Sequence, residues 1–212
     1  DNNIMKLYSF HSSSGAYRVR IALALKNLDV EMAFVDLTKG EQKNAAYAAV
    51  NPQMQVPSFI TDTGDVLVQS LAIIEYLDET HPKPPLLPKD ALARAHVRAI
   101  ADAMAMDIAP INNLKIRKYI TSECGRDEKE WIQHWTHSGL AGVEKLVAAS
   151  AGKYCYGDTP TMADCVLVPQ LFHARRFGCD LSAYPTLTRI DATCNEHPAF
   201  IKAHPSKQAD FK

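Results

Sequence analysis

Three consecutive hydroxyls, Ser12-Ser13-Ser14, follow an apolar run at 6–10 and lead straight into an amphipathic stretch, 16–26, with apolar Val19, Ile21, Ala22, Leu23 and Leu25. The first turn of a helix carries unpaired backbone N–H groups and a partial positive charge, so it attracts an anion. Serine hydroxyls add donors that can be aimed at the same point. These residue types at this spacing predict an anion-stabilising turn between a strand and a helix. Ser70, placed as N-cap ahead of Leu71, Ile73, Ile74 and Leu77, predicts a second helix start of similar chemistry.

Other reactive residue types are scattered. Cys124, Cys155, Cys165, Cys179 and Cys194 are odd in number, widely spaced and without a C-x-x-C pair, which fits reduced thiols and neither a disulfide framework nor a zinc site. His134 and His137 lie three apart on a predicted helix but have no acidic or cysteine partner nearby, so they read as an exposed helix face and no metal is expected.

The elements that must position these groups are set by composition and periodicity. The 212 residues are 47% hydrophobic and 22% charged, enough for one large domain or two modest ones. A formal net charge of -1 argues against nucleic acid as a partner. No apolar run of about 18 residues exists, so no membrane span is expected. A basic-then-apolar leader is also lacking, and a cytoplasmic setting is expected. Asp1-Asn2-Asn3-Ile4, ahead of Met5, reads as an appended remnant outside the fold.

Residues 6–10 predict a strand and 16–26 a helix; 31–36 a second strand; 41–50 a weaker helix; 57–61 and 66–68 a hairpin about Asp62-Thr63-Gly64-Asp65; and 70–79 a helix. The order β-α-β-α-β-β-α resembles a small thioredoxin-like mixed sheet of four strands, at 5–81. Four prolines in 81–89 predict a semi-rigid linker, placed at 82–89. From residue 90 to 212 strand signals vanish and an all-α helical bundle is expected. Its helices are a long one over 91–121 bent at Pro110, then 128–151, 162–177 and 187–196, with Thr161-Met162-Ala163-Asp164 as a capping box.

Four motifs, taken in order, resemble the cytosolic glutathione transferases over the whole chain from Met5. They are Ser13-Ser14 leading into Tyr17-Arg18-Val19-Arg20-Ile21-Ala22-Leu23; Asn51-Pro52-Gln53-Met54-Gln55-Val56-Pro57; Gln69-Ser70-Leu71-Ala72-Ile73-Ile74-Glu75-Tyr76-Leu77; and Gly157-Asp158-Thr159-Pro160-Thr161-Met162-Ala163-Asp164, continuing to Val168-Pro169-Gln170. Pro110-Ile111-Asn112-Asn113-Leu114 and Ala174-Arg175-Arg176-Phe177 with Asp180-Leu181 are similar to the zeta class, which includes maleylacetoacetate and maleylpyruvate isomerases.

The resemblance implies glutathione as cofactor. It implies a cis Val56-Pro57 bond whose preceding backbone pairs with the cysteinyl part, and Gln69-Ser70 for the γ-glutamyl carboxylate. Gln42 and Asn113 match further glutathione contacts, and Ser13 matches the thiolate donor, with Ser14 beside it. A free thiol titrates near pH ~8.5, so ionising it at neutral pH requires about 1.4–2.7 kcal/mol. One charge-assisted hydrogen bond of about 1.5–3 kcal/mol, plus a helix end of about 0.3–1 kcal/mol, meets that requirement. The implied activity is cis–trans isomerisation of a maleyl dicarboxylate keto acid in aromatic amino acid catabolism, by reversible thiolate addition, with Arg176 holding a substrate carboxylate. Arg175 points roughly 100° away around the helix and is the poorer choice. A homodimer is implied as well.

Ser12 stands where the class places an arginine, Gly15 where it places a cysteine, and Ala109 where glutamine or histidine is common. These departures bear on the substrate, leaving maleylpyruvate isomerisation or general conjugation of electrophiles as alternatives, with a non-catalytic glutathione-binding module as a further one. Thiol–disulfide exchange is excluded by Gly15, since no cysteine lies near the motif.

Overall fold

A computed structural model describes residues 4–211; Asp1-Asn2-Asn3 of the expected remnant lie outside the described residues. The chain divides into two compact units, one of residues up to Pro85 together with those from His197 onward, the other Leu86–Glu196.

In the first unit β1 (Lys6–Ser9) leads to α1 (Ser14–Leu25), followed by β2 (Glu31–Phe34), α2 (Ala45–Val50), β3 (Ser58–Ile60), β4 (Val66–Val68) and α3 (Ser70–Thr80). The sheet order is β2-β1-β3-β4. β1 and β2 are parallel with Leu7 opposite Met32, while β1–β3 and β3–β4 are antiparallel, with Phe59 opposite Leu7 and Leu67. This is the mixed four-stranded sheet expected, and α1 supplies the crossover that its parallel pair needs. The core is Leu7, Val19, Ile21, Phe59, Ile73, Ile74 and Leu77, all fully buried.

Four local expectations change. The segment 41–50 is broken by Asn44, which is extended between a 3-10 turn, Glu41–Lys43, and α2. Ser70 is the first helical residue of α3, and the N-cap is Gln69, at φ 73 and ψ 117. α1 is not amphipathic in effect, because residues 16–23 are all buried. Its outer side is covered by α9 (Pro198–Ala203), a six-residue helix too short for periodicity to reveal. The sequence division put 197–212 with the all-α part, but those residues pack in the first unit.

The linker is likewise divided between the units. The Lys26 ammonium, with a fully buried side chain, donates to Asp78 Oδ1 (2.8 Å), His81 O (2.7 Å) and Pro84 O (2.9 Å), holding the first part against α1 and α3. Leu86 and Leu87 are buried in the second unit, where the Leu86 carbonyl accepts from Met162 N–H at 2.9 Å.

The second unit is helical: α4 (Ala91–Ala105), α5 (Leu114–Ser122), α6 (Glu128–Ala148), α7 (Met162–Arg176) and α8 (Pro185–Glu196). The expected bend at Pro110 is a full break. A proline ring clashes with the carbonyl four residues earlier, here Met106, where α4 ends. Asn113 restarts the helix by accepting from Lys115 N–H at 3.2 Å. α6 packs so closely on the intervening turn that a Cβ at Gly139 would lie 2.3 Å from Ile108 Cγ1. At the start of α7 the buried Asp164 carboxylate accepts from Thr161 N–H (2.7 Å), Thr161 Oγ1 (2.9 Å) and Cys155 N–H (2.9 Å), the geometry its capping position predicts.

Candidate functional site

The turn from β1 into α1 is closed by Ser13 N–H donating to the Phe10 carbonyl at 3.0 Å. Ser13 is the N-cap of α1, and its Oγ accepts from Ala16 N–H at 3.3 Å. The cap occupies a lone pair and leaves the hydroxyl proton free to be donated. Ser14 is the first helical residue beside it. The serines are partly exposed, so both a helix end and a hydroxyl face outward at one point.

The turn behind them comes from the second motif. Asn51 Oδ1 accepts from Gln53 N–H (2.9 Å), while Asn51 Nδ2 (2.8 Å) and Tyr47 Oη (2.6 Å) both donate to the Gln55 carbonyl. The chain is thereby clamped immediately ahead of Val56-Pro57, whose bond is cis. Among the described residues, no main-chain hydrogen bond engages the Val56 N–H or carbonyl. Gly15 shows how near the two motifs lie. A Cβ built there would meet Pro57 Cδ at 3.0 Å, Val56 O at 3.4 Å and Ser13 Oγ at 3.9 Å. The serine hydroxyl and the unpaired Val56 carbonyl therefore face one small space.

At the start of α3, buried Ser70 accepts from Arg18 Nη1 at 3.2 Å. Gln69 reaches its positive φ of 73 with its side-chain amide donating to Gln53 Oε1 at 2.9 Å. A non-glycine residue in that region costs about 1–3 kcal/mol and points to a functional constraint. Gln42 lies in the 3-10 turn before α2, its Oε1 buried without a hydrogen-bond partner among the described residues.

Asn113 and Arg176 belong to the second unit. Asn113 caps α5. Arg176 ends α7, with its guanidinium carbon 5.7 Å from the Phe177 ring centroid. Arg117 approaches the same ring at 5.0 Å and pairs with Glu128. Burial first, then the like charge of Arg117, lowers the Arg176 pKa. Arg175 is committed elsewhere, its Nη1 bonded to Asp191 Oδ2 at 2.7 Å. His137 Nδ1 lies 2.9 Å from Tyr184 Oη, and His134 packs edge-on against Trp135. Among the described residues, no group of three or more metal-ligating side chains exists.

Several supporting residues had no signal in the sequence. Arg20 donates to the carbonyls of Ala203 (3.0 Å), Phe10 (3.4 Å) and His11 (2.9 Å) and to Ser9 Oγ (3.1 Å). Asp210 Oδ2 accepts from His11 N–H at 2.8 Å. The C-terminal segment thus fixes the loop that carries the serines, through contacts almost two hundred residues apart in sequence.

Residues 4–79 match the model of the glutathione S-transferase N-terminal domain. The chain is 46% identical to the maleylacetoacetate isomerase of Pseudomonas aeruginosa, covering 97% of this chain and 98% of that one. Its structure is similar to that of a maleylpyruvate isomerase described as a bacterial zeta-class glutathione S-transferase, with a TM-score of 0.94 and 44% identity over 98% of this chain and 100% of the other. It is also similar to a maleylacetoacetate isomerase from Anaeromyxobacter dehalogenans with glutathione bound, with a TM-score of 0.91 and 44% identity over 99% and 98% of the two chains. The chain belongs to the glutathione S-transferase family, in its zeta class.

Proposed function

We propose that this protein is a glutathione-dependent cis–trans isomerase acting on maleylacetoacetate. The observation that carries the reading is a capped Ser13 whose hydroxyl proton is free, set beside an unpaired Val56 backbone. Unpartnered polar groups at Val56 and Gln42 suit an extended, carboxylate-bearing peptide, so the residues present fit glutathione. Val56 would pair with its cysteinyl part, Gln69-Ser70 and the start of α3 with its γ-glutamyl carboxylate, and Gln42 and Asn113 with further polar groups. When bound, glutathione supplies a thiolate whose reversible addition lets a cis double bond turn as a single bond.

The chain's own part is electrostatic. Ser13 donates to the sulfur and holds it ionised, with Ser14 and the end of α1 adding positive potential. Arg176 offers a planar fork for a substrate carboxylate. Five cysteines outside any disulfide suit a cytoplasmic enzyme, and the zeta class suggests a homodimer.

The test is an absorbance assay of maleylacetoacetate and maleylpyruvate, each with and without glutathione. Turnover of maleylacetoacetate that requires glutathione, and that exceeds turnover of maleylpyruvate, is expected. Absence of glutathione-dependent turnover of either would overturn the reading. Faster turnover of maleylpyruvate would move the substrate to the shorter keto acid.

A further inference from the structure

Two buried arginines stand two residues apart on α1, and among the described residues only one is fully satisfied. Arg20 has four acceptors. Arg18, 5% exposed, donates from Nη1 to Ser70 Oγ, while its Nε and Nη2 are buried with no partner among the described residues. Its pKa is lowered to about 10 by burial alone, so it remains a cation at neutral pH. A guanidinium withdrawn from water without an opposing charge is costly, and an apolar side chain would fill the same space at less expense. Among the described residues nothing bonds those two nitrogens, and an anionic ligand would.

The bond to Ser70 has a fixed direction. Arginine has no acceptor, so Ser70 Oγ accepts, and its own proton is left to be donated elsewhere. Ser70 opens the eleven-residue α3, whose first N–H groups lack carbonyl partners four residues back. Hydroxyl proton, helix end and buried cation thus converge on one point.

We propose that Arg18 is a positioning residue which, through Ser70, selects ligands bearing a carboxylate at the start of α3. It orients the Ser70 hydroxyl as a donor and supplies the buried counter-charge. The proposal rests on the glutathione reading above, in which the γ-glutamyl group brings that carboxylate.

Calorimetric titration with glutathione and with γ-aminobutyryl-cysteinylglycine, which lacks only that carboxylate, tests it. The wild-type protein is expected to prefer glutathione. Arg18→Met should reduce the preference about 10-fold or more while leaving affinity for the analogue nearly unchanged, and Arg18→Lys should keep most of it. A folded Met variant that keeps the full preference, or that weakens both peptides equally, overturns the proposal. If the Met variant does not fold, a cycle of Arg18→Gln, which removes the charge, with Ser70→Ala decides: coupled effects on the preference support the proposal and additive ones overturn it. Wild-type protein that binds both peptides equally overturns the carboxylate assignment alone. Protein that binds neither overturns the glutathione reading, and this proposal with it.

Discussion

Ser13 caps α1 and is the proposed thiolate donor, and one substitution read by two measurements bears on both. Ser13→Ala removes an N-cap, which costs about 1 kcal/mol of stability. It also removes the proposed thiolate donor, so kcat/KM is expected to fall about 10- to 100-fold, as the loss of a hydrogen bond to a charged group implies. The ultraviolet absorbance of bound thiolate should shift to higher pH by about 1–2 units. Arg176→Ala should raise KM for the dicarboxylate about 10-fold or more and leave the glutathione dissociation constant unchanged, checked by steady-state kinetics beside direct titration. The serines and Ser70 were legible in the sequence because helix starts are local chemistry. Arg18 and Arg20 were not: an arginine inside an apolar helix looks the same whether it has four acceptors or one.

The elements that hold these residues depend on a few buried polar contacts. Lys26 joins α1, α3 and the proline-rich segment through three hydrogen bonds, so Lys26→Met is expected to lower unfolding free energy by about 3 kcal/mol. A reduced denaturant midpoint with an unchanged slope would show it. His204 follows α9, and its Nδ1 accepts from Ser206 N–H at 3.2 Å. Burial first, then the charges of Arg20 and Lys207, lower its pKa below the ordinary 6.5. The unfolded chain therefore binds the extra proton more readily, and the stability His204 contributes is present above pH 6.5 and lost as pH falls through the folded value. Thermal midpoints across this range should decline more steeply with acid for the wild type than for His204→Asn. At this scale the sequence located most helices and strands. The break at 106–113 and the shift of the cap to Gln69 were missed because each turns on the path of the chain and not on residue type.

For the whole molecule, the notable feature is the return of the C-terminus to the first unit. A chain ending at Glu196 would lose α9, the Ala203 acceptor of Arg20 and the Asp210 acceptor of His11 N–H. It is expected to bind glutathione more weakly, because the serine loop loses its support. The first unit should also lose about 1.5–3 kcal/mol for each buried charged donor left unpaired. Titration shows the first effect and limited proteolysis the second. Both tryptophans lie on α6 of the second unit, so their fluorescence reports whether that unit is still folded in the truncated chain.

By itself the sequence determined the mixed sheet, the helical second half, the two serine-bearing helix starts and the family. The elements depend on periodicity, capping and turn chemistry, which act over a few residues, and the family on the resemblance of motifs standing in order along the chain. Only the tertiary structure decided which serine caps and which opens a helix, that Gly15 lies against Pro57, and that the described residues from His197 onward serve the first unit. It alone decided that one buried arginine is satisfied and its neighbour is not. Such outcomes depend on which distant carbonyls and hydroxyls the packed chain brings within hydrogen-bond reach, and no local pattern encodes that.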